Sequence, residues 1–223
     1  MTSPTIPAGA PTTPAKPLMR GWLHAGMTPL VLAFGIVLIV LAPTTPGRIG
    51  SAVWMIGSFI LFGNSAAYHL GHWRPAVERV FRRLDHANIF LFIAATYTPL
   101  GLVLATGASR VGLLVLIWAV GVAGVVTAVA WLSAPRWVTV ILYLLMGWAG
   151  VGWFGEFWVT GGPAIVILLL AGGVFYTGGA IVYARKRPNP SPRVFGFHEI
   201  FHACTIAAAV CHAIAIALAV LHV

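Results

Sequence analysis

Apolar residues run along this chain in seven long blocks, at 22–41, 51–72, 86–105, 110–130, 137–155, 162–183 and 197–221, and the short breaks between them hold proline, glycine and most of the charge. Each block is close to the ~20 residues that carry an α-helix across the hydrocarbon core of a bilayer. The pattern predicts an all-α integral membrane bundle of seven transmembrane helices in one domain, 20–223. The preceding "MTSPTIPAGAPTTPAKPLM", 1–19, has no apolar core to fold around and lacks the basic start, hydrophobic middle and cleavage site of a signal peptide, so it is expected to be a flexible, retained tail. The thinnest break, "ATGAS", separates the third and fourth blocks. The glycine-rich "AGGVFYTGGA" of the sixth favours close helix approach and leaves room for a bend.

Composition agrees with the pattern. Mean hydropathy is +0.95, and 8% of residues are charged, against about 25% in soluble domains. A net charge of +9 raises the question of nucleic acid, but the basic residues are scattered and form no basic face interleaved with aromatics. Their distribution sets an orientation instead. With the N-terminus inside, Lys16, Arg20, Arg74, Arg79, Arg82, Arg83, Arg136, Arg185, Lys186, Arg187 and Arg193 all fall on the inner side, and only Arg48 and Arg110 fall outside. Positive charge concentrates on the cytoplasmic side of membrane proteins, so the N-terminus is expected in the cytoplasm and the C-terminus outside, in the cell (inner or plasma) membrane. Trp73, Trp131 and Trp137 then mark the inner interface, and Trp153 and Trp158 the outer. Cys204 and Cys211 are seven residues apart on one helix, roughly 10 Å, and read as small apolar residues rather than a disulfide.

This topology gathers the candidate chemistry. "GNSAAYHLGHWR" ends the second helix inside, with Ser65 and His69 one turn apart. "RRLDHANIF" begins the third helix on the same side and carries Asp85 and His86, and "FHEIFH" begins the seventh with His198 and His202 on one face. His69, His198, His202 and Asp85 therefore arrive at one depth, where such groups must be paired, metallated or wet. Three imidazoles suit a tetrahedral Zn2+ with one position open to water. Asp85 is then a further ligand, or a general base that orients the water, and Ser65 is placed to hydrogen-bond a substrate oxygen or that water. A polar cluster that joins three helices without metal is the alternative. His72 reads as interfacial and His86 as facing either headgroups or the site, while His24, His212 and His222 have no obvious partner.

His198-Glu199-x-x-His202 also matches the pattern of zinc proteases, in which the glutamate is the base. An intramembrane metalloprotease built on it leaves His69 and Ser65 unexplained. Glu199 is more simply a supporting or interfacial carboxylate, paired with Arg82, Arg83 or Arg193.

Together, Ser65-x-x-x-His69, Asp85 and His198-x-x-x-His202, within "SAAYHL", "LDHANIFLFIAATYTP" and "FGFHEIFH", resemble the haemolysin III family. That family is the bacterial branch of the progestin and adipoQ receptor family, which includes the adiponectin receptors and is more distantly related to alkaline ceramidases. The likeness covers nearly all of residues 20 to 223. It implies seven helices around a zinc ion near the cytoplasmic side, held by His69, His198 and His202, with Asp85 on the zinc-bound water and Ser65 beside it. It further implies hydrolysis of a lipid amide or ester, with membrane lipids, a sphingolipid or another acylated lipid, as substrate and no nucleic-acid partner. The family name brings the alternatives of a pore-forming or cytolytic protein and a structural zinc site, although no helix carries a continuous polar stripe or a ring of charge at mid-depth.

Overall fold

The computed structural model describes residues 17–131 and 134–222, so residues 1–16 of the expected flexible tail lie outside the described residues. The chain forms helices Trp22–Leu41 (α1), Thr45–Leu70 (α2), Pro75–Leu104 (α3), Gly107–Ala130 (α4), Arg136–Trp148 (α5), Phe154–Gly161 (α6), Pro163–Arg185 (α7) and Phe197–His222 (α8). A 3₁₀ stretch, Ala149–Trp153, joins α5 to α6, and Trp137–Gly161 acts as one span. Among the described residues, seven helical spans are thus long and apolar enough to cross a membrane.

Two helices begin earlier than their hydropathy predicts. α2 starts at Thr45 rather than 51, because the Thr44 side chain accepts a hydrogen bond from the Gly47 amide at 3.2 Å and proline stands in the first turn. α3 starts at Pro75 rather than 86, with Pro75 as its first residue and Glu78 in its first turn. Hydropathy marks where a bilayer would begin, whereas these residues mark where the helix begins. Asp85 consequently lies well inside α3 and not at its start.

The glycine-rich sixth span is one unbroken helix, α7, and the irregularity falls in the fifth instead. There the Tyr97 ring of α3 packs against the backbone at Gly150, where an added Cβ would lie 2.0 Å from Tyr97 Cε1. The Tyr97 hydroxyl donates to the Gly147 carbonyl at 2.6 Å and accepts from the Gly150 amide at 3.3 Å. It thereby satisfies backbone groups at a break in the regular ladder. The thin "ATGAS" break is secured by Glu156, which accepts from the Thr106 amide at 3.1 Å and from the Ser109 hydroxyl.

Trp54, Phe62, Leu100, Leu113, Ile117 and Ile216 are fully buried at the centre, while Leu30, Val40, Val111, Val126, Leu145 and Val159 stand exposed on the outside. An apolar exterior around a packed interior suits a hydrocarbon solvent. Trp131, Trp137 and Trp158 are exposed as interface anchors would be, but Trp153 is partly buried and donates to the Ser109 carbonyl at 3.1 Å. Cys204 and Cys211 are free thiols, each half-buried.

Candidate metal centre

One end of the bundle collects the last turn of α2, the first turns of α8, the start of α1 and the polar part of α3. Ser65 and His69 stand one turn apart on α2 and are both buried. His198 and His202 repeat that spacing on α8. Ligand nitrogens of His69, His198 and His202 all lie within 4.8 Å of one another, and the Nε2 atoms of His69 and His198 are 3.2 Å apart. With Zn–N bonds of ~2.0–2.1 Å, two corners of a tetrahedron are about 3.3 Å apart. The three imidazoles, brought from two helices, therefore fit one small tetrahedral ion with a corner to spare.

Asp85 is the fourth member. Its Oδ2 lies 3.9 Å from His69 Nε2. Ser65 lines the same cavity as Asp85 and the three histidines.

Glu199 points elsewhere. Its side chain is 1% exposed; one oxygen accepts from the Gly196 amide at 2.8 Å and the other from Arg20 Nε. The first contact is the glutamate half of a capping box, at the third position of α8. The ion pair is with Arg20 and not with Arg82, Arg83 or Arg193. Arg20 is favoured because the segment before α1 is strapped to the loop before α8, where the amides of Leu18 and Met19 donate to the carbonyls of Arg193 and Val194 at 3.0 and 3.1 Å. With both oxygens engaged, Glu199 is a structural residue. Glu199→Gln is expected to lower stability by about 1–3 kcal/mol while the purified protein keeps its metal. Loss of metal without loss of thermal stability would contradict that assignment.

One residue at the site has no sequence signal from spacing. His24, on α1, is 3% exposed, and its ring stacks on His202 with centroids 3.8 Å apart and planes 7° from parallel. Phe62 meets the same ring edge-on at 5.0 Å. Only depth could have found it, since His24 opens the first helix at the end where His69 and His198 lie. Gly21 lets α1 come this close: its φ is +85°, and an added Cβ would sit 2.8 Å from His69 Cβ. Of the other histidines, His86 lines the site's cavity, whereas His72 and His222 are exposed. His212 lies deeper in the bundle, where its ring meets Tyr176 and its Nε2 lies 3.2 Å from the Leu169 carbonyl oxygen.

A cavity of about 490 Å³ opens over the cluster. His24, Ser65, His69, Asp85, His198 and His202 line one part of it, and Leu61, Ile89, Phe90, Val138 and Leu142 another. A second cavity of about 100 Å³ shares Leu61, Ile89, Tyr143, Ala180, Phe201 and Thr205 with the first and is also lined by Phe92 and Leu100. A hydrophilic, metal-compatible cavity thus adjoins a largely apolar one.

Residues 12–213 match the family model described as Haemolysin-III related. Similar proteins include Hemolysin-3 of Bacillus cereus, 31% identical over 151 residues that span 66% of this chain and 68% of that protein. Hemolysin-3 homolog of Bacillus subtilis is 29% identical over 147 residues, 62% of this chain and 68% of that protein. Heptahelical transmembrane protein ADIPOR2 of Oryza sativa is 31% identical over 182 residues, 74% of this chain and 79% of that protein.

Proposed function

We propose that this chain, which belongs to the Haemolysin-III-related family, is a zinc-dependent hydrolase of a lipid amide or ester, working at the cytoplasmic face of the cell membrane. The observation that carries this reading is the cluster of three imidazoles with a carboxylate beside it, in a cavity that adjoins a largely apolar one. Zinc is the ion of choice for such a nitrogen set, and when bound it supplies a Lewis acid and a water acidified towards neutral pH.

The chain's own residues do the rest. His69, His198 and His202 hold the ion. Asp85 takes the proton from the attacking water and returns one to the leaving amine or alcohol, and Ser65 donates a hydrogen bond to the substrate oxygen. The apolar walls accept an acyl chain that enters from the lipid, and a sphingolipid such as a ceramide has the required amide and chains. Glu199, committed to Arg20 and the Gly196 amide, leaves a peptide-cleaving centre without its base.

The decisive experiment supplies purified, zinc-loaded protein with vesicles that contain lipid amides and esters and follows the products by lipidomics. Release of a free fatty acid with its matching amine or lysolipid is expected. Leakage of vesicle contents with no lipid product would replace this reading by the cytolytic one that the relatives' names favour. The orientation rests on the charge asymmetry between loops. A reporter fused after Val223 is expected outside the cell and one within 186–196 inside, and finding both on one side would refute it.

A further inference from the structure

The smaller cavity is lined in part by two side chains that the metal centre does not use. Tyr176 of α7 and His212 of α8 meet edge to face with centroids 5.5 Å apart, and both line the cavity. Tyr176 Oη and His212 Nδ1 are buried with no hydrogen-bond partner among the described residues. The other polar side chains of the lining all have their protons engaged. Thr96, Thr177 and Thr205 donate to carbonyls of their own helices at 2.7–2.9 Å. Tyr97 and Tyr143 donate to the Gly147 and His86 carbonyls at 2.6 and 2.9 Å, and Trp148 Nε1 donates to Thr177 at 3.1 Å.

The histidine is held in place and its tautomer is set. Its Nε2 lies 3.2 Å from the Leu169 carbonyl oxygen, and its ring fills the space against Gly172, where a Cβ would come within 2.3 Å of Nε2. A carbonyl oxygen only accepts, so Nε2 carries the proton and Nδ1 presents a lone pair. The lining of the recess therefore holds one unengaged donor, the Tyr176 hydroxyl, and one unengaged ring acceptor, His212 Nδ1. Leaving both unpaired in a buried place is costly. An alcohol answers both at once, accepting from the tyrosine and donating to the histidine.

We propose that Tyr176 and His212 form a subsite for a hydroxyl group carried part-way along the apolar chain of a lipid. The proposal rests on the lipid-hydrolase reading to the extent that the chain reaches the subsite from the metal cavity. The ten residues from His202 to His212 rise roughly 15 Å along α8, which sets the hydroxyl well away from the reacting carbonyl.

The test is binding of octadecanoic acid and a series of its monohydroxy isomers, the hydroxyl moved stepwise along the chain, to the full-length zinc-loaded protein. One mid-chain isomer is expected to bind about tenfold more tightly than the plain acid. Tyr176→Phe, which keeps the ring, should bring that isomer down to the plain acid, with the metal content of the same samples reporting that the bundle is intact. Equal binding of plain and hydroxylated acids overturns the subsite and leaves the hydrolase reading standing, as does a preference that survives Tyr176→Phe. If neither acid binds, the subsite and the chain-binding recess fall together.

Discussion

The intact protein is expected to carry about one zinc per chain by elemental analysis, and replacing His69 with alanine is expected to remove most of it. α8 supplies two imidazoles and α2 the third, and two ligands are only half of a tetrahedral shell. His198→Ala and His202→Ala should behave alike, and His222→Ala, exposed at the end of α8, should keep its zinc. Because the ion ties α2 to α8, stability should fall with it: with free zinc at 100 times Kd, binding contributes about 2.7 kcal/mol that the variant lacks. The readout is a melting temperature that responds to added zinc in the intact protein and not in His69→Ala. An intact protein prepared with zinc, without chelator, and found free of stoichiometric metal would leave the three histidines as a polar cluster between helices.

Asp85→Asn separates holding the metal from using it. The carboxylate oxygen is 3.9 Å from His69 Nε2, beyond a hydrogen bond, so the amide should be accepted with little loss of zinc. An amide is no base, and hydrolysis should fall about 10²- to 10⁴-fold, the usual worth of a positioned proton acceptor. Ser65→Ala should cost less, because it removes one hydrogen bond to the substrate and leaves the base in place. Turnover and zinc content measured on the same samples decide the matter. A variant that loses both in proportion would make Asp85 a ligand, and one that keeps full activity would require another base.

The seven spans were legible because bilayer thickness dictates a length that hydropathy reports directly. Helix ends were less so: α3 runs eleven residues earlier than its apolar block, since Pro75 and Glu78 start a helix in water as readily as in lipid. The fifth span's 3₁₀ stretch escaped because it depends on Tyr97 reaching the Gly147 and Gly150 backbone from another helix. The histidine cluster could be read from spacing and loop charge together, as pairs one turn apart on helices that enter from one side. His24 offered no pair, and nothing local distinguishes a lone histidine that stacks on His202 from one facing lipid. Arg20 was hidden for a similar reason, as one cation among several near that end of the bundle, chosen for Glu199 by the strap at residues 18 and 19.

The Arg20–Glu199 pair joins positions 179 residues apart, the lead-in to α1 and the first turn of α8. During synthesis α1 emerges before α8. Arg20, His24 and His69 must therefore wait, without their partners on α8, until that helix has been made. No chain shorter than 202 residues contains the set of three histidines, so a metal that needs all three could be captured only after the start of α8 has been made. A chain that stops before residue 197 leaves Arg20 without Glu199 and the ring of His24 without that of His202.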